Sequence, residues 1–221
     1  WEDDSIAPTF PYALSTHIHF DLVNDPKFPF SPYGLLHKKE EITVLKTLRP
    51  GKWEMHSYIE SYDELESGHE FLLNSDLYID GELAWQSKTT AYKRSKPSTK
   101  KKNKPLNIPK ETKTLCLAPH MAREYALVSK NIDPIHMSLI SAKMMGHKSS
   151  IMHGMWGLAR SLSEIKNLKN PYQINCTFIS PMYLPCKVKL GVLQKDECTE
   201  FGFYPKFGDR PHFLGTVRPI N

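Results

Sequence analysis

The chain has 221 residues, enough for one large domain or for two of roughly 100 residues each. Hydrophobic residues make up 40% and charged residues 24%, values ordinary for a globular protein, and no apolar run approaches the ~20 residues of a membrane-spanning helix, so no membrane partner is expected. The net charge of +5 would suit a nucleic-acid binder only if the positive charge were spread over a folded surface, yet most of it sits in residues 93–105, with seven basic side chains and no acid.

That basic stretch is too polar to bury, and it reads as a solvated linker at 94–105 between an N-terminal domain, 1–93, and a C-terminal one, 106–221. It carries no aromatic stacking pattern, so nucleic acid is not an expected partner. In the first domain, Pro11 to Val23 reads as a helix with Tyr12, Ile18 and Leu22 as buried candidates, and strand composition follows Glu41. Further on, Asp80-Gly81 lies between alternating runs and predicts a tight type I′ hairpin. In the second domain Met137–Met145 is a short helical run. Ile151–Lys166 is a longer one, in which Met152, Met155, Trp156, Ala159 and Leu162 recur at helical spacing. Strands come after: Cys186, Val188, Leu190 and Val192 alternate with polar or small residues, and Phe201 and Phe203 stand two apart. This order predicts α+β units in which an antiparallel sheet wraps a central helix.

The four cysteines, Cys116, Cys176, Cys186 and Cys198, form no C-x-x-C pair and read as free thiols of a reducing compartment, which places the protein in the cytoplasm. His17 and His19 lack metal-ligand spacing, so no metal is expected. Neither a glycine-rich dinucleotide fingerprint nor a P-loop appears, so no cofactor is expected.

From Tyr125 the chain reads Y-A-L-V-S-K-N-I-D-P-I-H-M-S-L-I-S-A, ending at Ala142, and I-M-H-G-M-W follows from Ile151. These segments resemble the signature of MaoC-like R-specific enoyl-CoA hydratases and 3-hydroxyacyl dehydratases, S-G-D-x-N-P-[LIV]-H followed by H-G-M. Tyr125, Ser129, Pro134, Ile135, His136 and Ala142 stand in register with the first part, and His153-Gly154-Met155 with the second. Phe28-Pro29-Phe30 and Gly34-Leu35-Leu36-His37 resemble, more weakly, the N-terminal repeat of family members with two hot dogs. The resemblance implies a tandem hot-dog fold, with an N-terminal repeat that lacks the catalytic motif and shapes an acyl pocket. It also implies an acyl-CoA or acyl carrier protein thioester as partner, and either a monomer or a homodimer.

It further implies a reversible hydration of trans-2-enoyl thioesters to 3-hydroxyacyl thioesters. By position His136 is the acid/base, and the backbone N–H of Gly154 at a helix start is the oxyanion donor, glycine letting the thioester approach the backbone. The catalytic aspartate of the family is replaced by Asn131, which can orient a water but cannot accept its proton. Asp133 stands where the family has asparagine, as an alternative water-positioning group. The departure leaves two readings open: a hydro-lyase, or a non-catalytic acyl-thioester binder derived from one. His153 reads as structural, the methionines Met144, Met145, Met152 and Met155 as core filling before tunnel lining, and the lysine cluster as linker before a phosphate or carrier-protein contact.

Overall fold

A computed structural model describes residues 5–95, 109, 112–166, 168–208 and 210–220. In chain order the first elements are α1 (Phe10–Asn24), β1 (Leu35–Val44), β2 (Trp53–Leu65), β3 (Gly68–Ile79), β4 (Glu82–Arg94), β5 (Thr112–Leu117) and α2 (Pro119–Ser129). Then come α3 (Pro134–Met137), α4 (Leu139–Met144), β6 (Ile151–Met152), α5 (Gly154–Leu162), β7 (Tyr172–Phe178), β8 (Met182–Tyr183), β9 (Cys186–Gln194), β10 (Thr199–Pro205) and β11 (Phe213–Pro219). The expected linker at 94–105 lies outside the described residues from 96 onward, and its first residue, Arg94, is the last of β4.

The chain divides into two compact units, one of Trp1–Lys102, Lys169–Thr177 and Arg218–Asn221, the other of Asn103–Leu168 and Phe178–Val217. In the first unit the strands run in the order β2-β3-β4-β1-β7, every pairing antiparallel. Asp80 and Gly81, both at positive φ (52° and 84°), close the expected hairpin between β3 and β4. Helix α1 packs on β2 and β3. Its buried face is Pro11, Ala13, Ser15, Thr16, His19 and Val23, whereas Tyr12, Ile18 and Leu22 are only half-buried. Small side chains let the helix come close to the sheet, and its buried hydroxyls are satisfied locally: Ser15 and Thr16 both donate to the Tyr12 carbonyl, at 3.0 and 2.9 Å. Trp85, fully buried, donates its indole N–H to the Pro8 carbonyl at 2.8 Å.

In the second unit β5, β9, β10 and β11 pair in that order, again antiparallel. Helix α5 lies on β10. Phe203 and Phe213 stack on each other with centroids 4.8 Å apart, and Trp156 meets Phe203 edge-on at 6.3 Å.

Two of the expected helices differ in the structure. Ile151 and Met152 are not helical but pair antiparallel with Tyr183 and Met182, so α5 begins only at Gly154 and ends at Leu162. Tertiary pairing outweighs the helical spacing of a few apolar residues. The Met137–Met145 run is split at Ser138, which is extended (φ −156°, ψ 164°) and caps α4 by accepting from the Ser141 N–H at 3.0 Å. Met144 is 82% exposed and is no core residue, while Met152 and Met155 are buried as expected.

Candidate active site

The segment from Tyr125 to His136 is held by short-range side chain to backbone bonds. Helix α2 stops at Lys130, which takes the left-handed conformation (φ 57°, ψ 12°), where the resembling motif has glycine. Ser129 Oγ donates to the Tyr125 carbonyl at 2.8 Å and accepts from the Asn131 N–H at 3.4 Å. The Asn131 Oδ1 accepts from the Asp133 N–H at 3.4 Å, and Asp133 Oδ1 from the Ile135 N–H at 3.1 Å. Asp133 is thus the N-cap of α3, the short helix that carries His136.

His136 is 9% exposed, and its Nδ1 donates to the Ile151 carbonyl at 2.7 Å. In the neutral ring this fixes the proton on Nδ1 and leaves Nε2 as an acceptor. The ring stacks on His153, centroids 3.6 Å apart and planes at 24°. His153 donates from Nε2 to the Asn131 carbonyl at 3.1 Å, and Tyr125 packs on its ring at 4.9 Å. Because His153 is the N-cap of α5 and Gly154 its first residue, the His136 loop and the head of α5 meet directly. The His153 Nδ1 is buried with no hydrogen-bond partner among the described residues.

Both rings are held neutral. Burial lowers the His136 pKa; the Ile151 carbonyl and the Asp133 carboxylate oppose the shift, and His147 adds to it. Burial and the neighbouring His136 bring the His153 pKa down to about 3, against the Asn131 carbonyl. An imidazole neutral at neutral pH, with a lone pair on Nε2, is the form a general base needs.

Gly154 contributes the first N–H of α5, one of the groups that a helix leaves without an intrahelical partner. A Cβ there would stand 2.6 Å from the Phe178 ring, which packs on the Cα of Gly154. Glycine is required by that packing.

The structure therefore brings together His136, Asn131, Asp133 and Gly154, with Asp133 committed to capping. Two contributors carry no sequence signal. The Ile151 carbonyl is backbone, and His147 acts only through its charge. Among the described residues no three His, Cys, Asp or Glu side chains converge as a metal site would require.

Residues 98–201 match the family model of the MaoC like domain. The chain carries a MaoC-like domain. His136, Asn131 and Gly154 all fall within that domain. Over 222 aligned residues the chain is 27% identical to the 3-hydroxyacyl-thioester dehydratase X of Mycobacterium tuberculosis, covering 96% of this chain and 78% of that one. The crystal structure of HtdX of Mycobacterium tuberculosis superimposes with a TM-score of 0.87 at 24% identity, covering all of this chain (100%) and 90% of that one. A MaoC-like dehydratase from Phytophthora capsici gives 0.75 at 19% identity, over 100% of this chain and 85% of that one. These likenesses establish the fold outside the MaoC-like domain as well as within it: the chain is α+β, of the tandem hot-dog type.

Proposed function

We propose that the chain is a hydro-lyase acting reversibly on trans-2-enoyl and 3-hydroxyacyl thioesters, with His136 as its acid/base. The observation that carries this reading is the unprotonated Nε2 of a buried His136, held by the Ile151 carbonyl beside the head of α5. In hydration, a water that accepts a hydrogen bond from the Asn131 amide attacks the β-carbon while His136 Nε2 takes its proton. The double-bond electrons move to the thioester oxygen, where the Gly154 N–H receives the charge. His136 then returns the proton to the α-carbon. Since neither Asn131 nor the capping Asp133 takes that proton, one nitrogen serves both steps and both groups add to the same face. The relative named a 3-hydroxyacyl-thioester dehydratase supports the same chemistry.

The catalytic repeat is taken as 106–221, with 1–93 as the repeat without the motif and 94–105 as the join. The four cysteines are all unpaired, which suits a reducing cytoplasm. No helix among the described residues is long and apolar enough to cross a membrane.

Asn131 motivates a second reading, a protein that binds acyl thioesters without turning them over. Loss of enoyl absorbance on incubation with short and medium enoyl-CoA separates the two. The hydro-lyase reading expects steady turnover that Asn131→Asp increases tenfold or more, an order suited to restoring one acid/base group. The binding reading expects acyl-CoA to raise the melting temperature of wild type with turnover at background. Background rates with both CoA and carrier-protein thioesters would overturn the proposal.

A further inference from the structure

His153 touches three parts of the site at once. Its ring stacks on His136 with centroids 3.6 Å apart, its Nε2 donates to the Asn131 carbonyl at 3.1 Å, and its backbone is the N-cap that the Gly154 N–H follows. As a residue serving only the helix start it is poorly chosen. Ser, Thr, Asp or Asn at an N-cap stabilises a helix by accepting from its free N–H groups, yet the His153 side chain makes no cap bond to α5. Its Nδ1 is buried without a partner among the described residues, a desolvation cost that no bond offsets. Where a native protein breaks such local rules, a functional site is the expected reason.

What the ring supplies instead is fixed geometry. The bond from His136 Nδ1 to the Ile151 carbonyl sets the tautomer, but one hydrogen bond leaves a ring free to swing about it. A flat ring against its face removes that freedom. Asn131 gains in the same way: its Oδ1 accepts from the Asp133 N–H and its carbonyl accepts from His153, which ties both ends of the residue and leaves its amide N–H groups for a water. His153 is itself held by Tyr125, which packs on its ring at 4.9 Å. With its pKa lowered to about 3 by burial and by His136, it stays neutral when His136 takes up a proton, so two cations never face each other across the stack.

We propose that His153 is the positioning residue of the site, its ring face and its Nε2–H holding His136 and Asn131 in the arrangement that one shared water requires. The inference rests on the proposed hydro-lyase activity for its kinetic arm and on folded protein alone for its spectroscopic arm.

The test compares His153→Asn with His153→Phe. Asparagine is a favoured N-cap, so a role confined to the helix start predicts wild-type kcat in the folded variant. The positioning role predicts that His153→Asn lowers kcat for enoyl-CoA hydration by about tenfold or more, with KM within about twofold, because misplaced reacting groups slow the chemistry without removing binding. His153→Phe keeps a flat ring against His136 and recovers part of that loss. The spectroscopic arm is nitrogen NMR of histidine-labelled protein, which needs no turnover. Wild type shows His136 as a single Nδ1–H tautomer, His153→Asn mixes the tautomers or broadens the signal as the ring moves, and His153→Phe restores the single form. Four results overturn the proposal: wild-type kcat in His153→Asn, a loss confined to KM, a phenylalanine variant no better than the asparagine one, or a His136 spectrum that neither change alters. Absence of turnover in the wild type would defeat the hydro-lyase reading, and the spectra would then decide this one.

Discussion

Each unit of the molecule buries a histidine to 9% exposure, and the two are used differently. His19, on the sheet-facing side of α1, bonds through Nε2 to the Ser75 hydroxyl at 2.8 Å, and Ser75 in turn meets Ser57 at 2.7 Å. His136 is held through Nδ1 by a main-chain carbonyl, which leaves Nε2 for chemistry. The first unit even owns a carboxylate–histidine pair, Glu40 Oε2 to His37 Nε2 at 3.0 Å, where the second has Asn131. Glu40 is fully buried, is tied to Thr89 at 2.7 Å, and has its pKa raised by burial. Burial of a titratable group therefore does not mark a site. The distinguishing feature is which atom the surrounding structure leaves able to meet a substrate.

The sharpest way to break this comparison is to truncate both histidines. His136→Ala is expected to lower hydration by about a hundredfold or more in the folded protein, and to cost about 1–3 kcal/mol of stability as well, because a buried hydrogen bond and a ring stack are lost. His19→Ala is expected to cost about 1–3 kcal/mol of stability, as a buried hydrogen bond and its packing are lost, with the folded fraction keeping its kcat. Urea unfolding and steady-state rates on both variants check the pair. If His19→Ala abolished kcat in folded protein, the contrast would collapse.

Gly154→Ala comes next. Its Cβ would clash with the Phe178 ring, so a loss of about 1–3 kcal/mol is expected together with reduced kcat, since the head of α5 must shift. Phe178→Leu in the same chain should recover part of the stability.

Acid titration sharpens the comparison across both units. His153 and His19 have pKa values lowered to about 3 and about 4, so below the ordinary value of 6.5 the unfolded chain takes up protons that the folded chain refuses. Their contribution is present above pH 6.5 and is lost progressively as pH falls towards 3. His19→Gln should flatten that fall, as read by melting temperature against pH, and an unchanged slope would contradict the assignment. The smallest effect belongs to Lys130→Gly: relieving a left-handed lysine at the end of α2 should stabilise the protein by about 0.5–1 kcal/mol in urea unfolding.

The motif segments made the second unit's site legible. Ser129, Asn131, Asp133, Pro134 and His136 lie close in sequence, and the bonds joining them span only a few residues. What the sequence left hidden was long-range. Nothing in Ile151 announces that its carbonyl will orient His136, because that bond depends on β6 pairing with β8, about thirty residues away. The same pairing misled the helix reading, since Met152 falls at a helical interval from Met155 and Trp156 yet belongs to a strand. On α1 the error ran the other way: apolarity pointed to Tyr12, Ile18 and Leu22, whereas the close approach of helix to sheet selected Ala13, Ser15, Thr16 and His19. Asp80-Gly81 needed no tertiary help, because positive φ at both turn positions is a local demand.

The decisive measurement is kcat/KM for enoyl-CoA hydration across pH, on wild type and on His136→Gln. Wild type should lose activity on the acid side only below pH 6.5, as protonation of the lowered His136 removes the Nε2 lone pair, and the glutamine variant should sit at background throughout. Hydration that persists in His136→Gln with wild-type pH dependence would show that another group moves the proton.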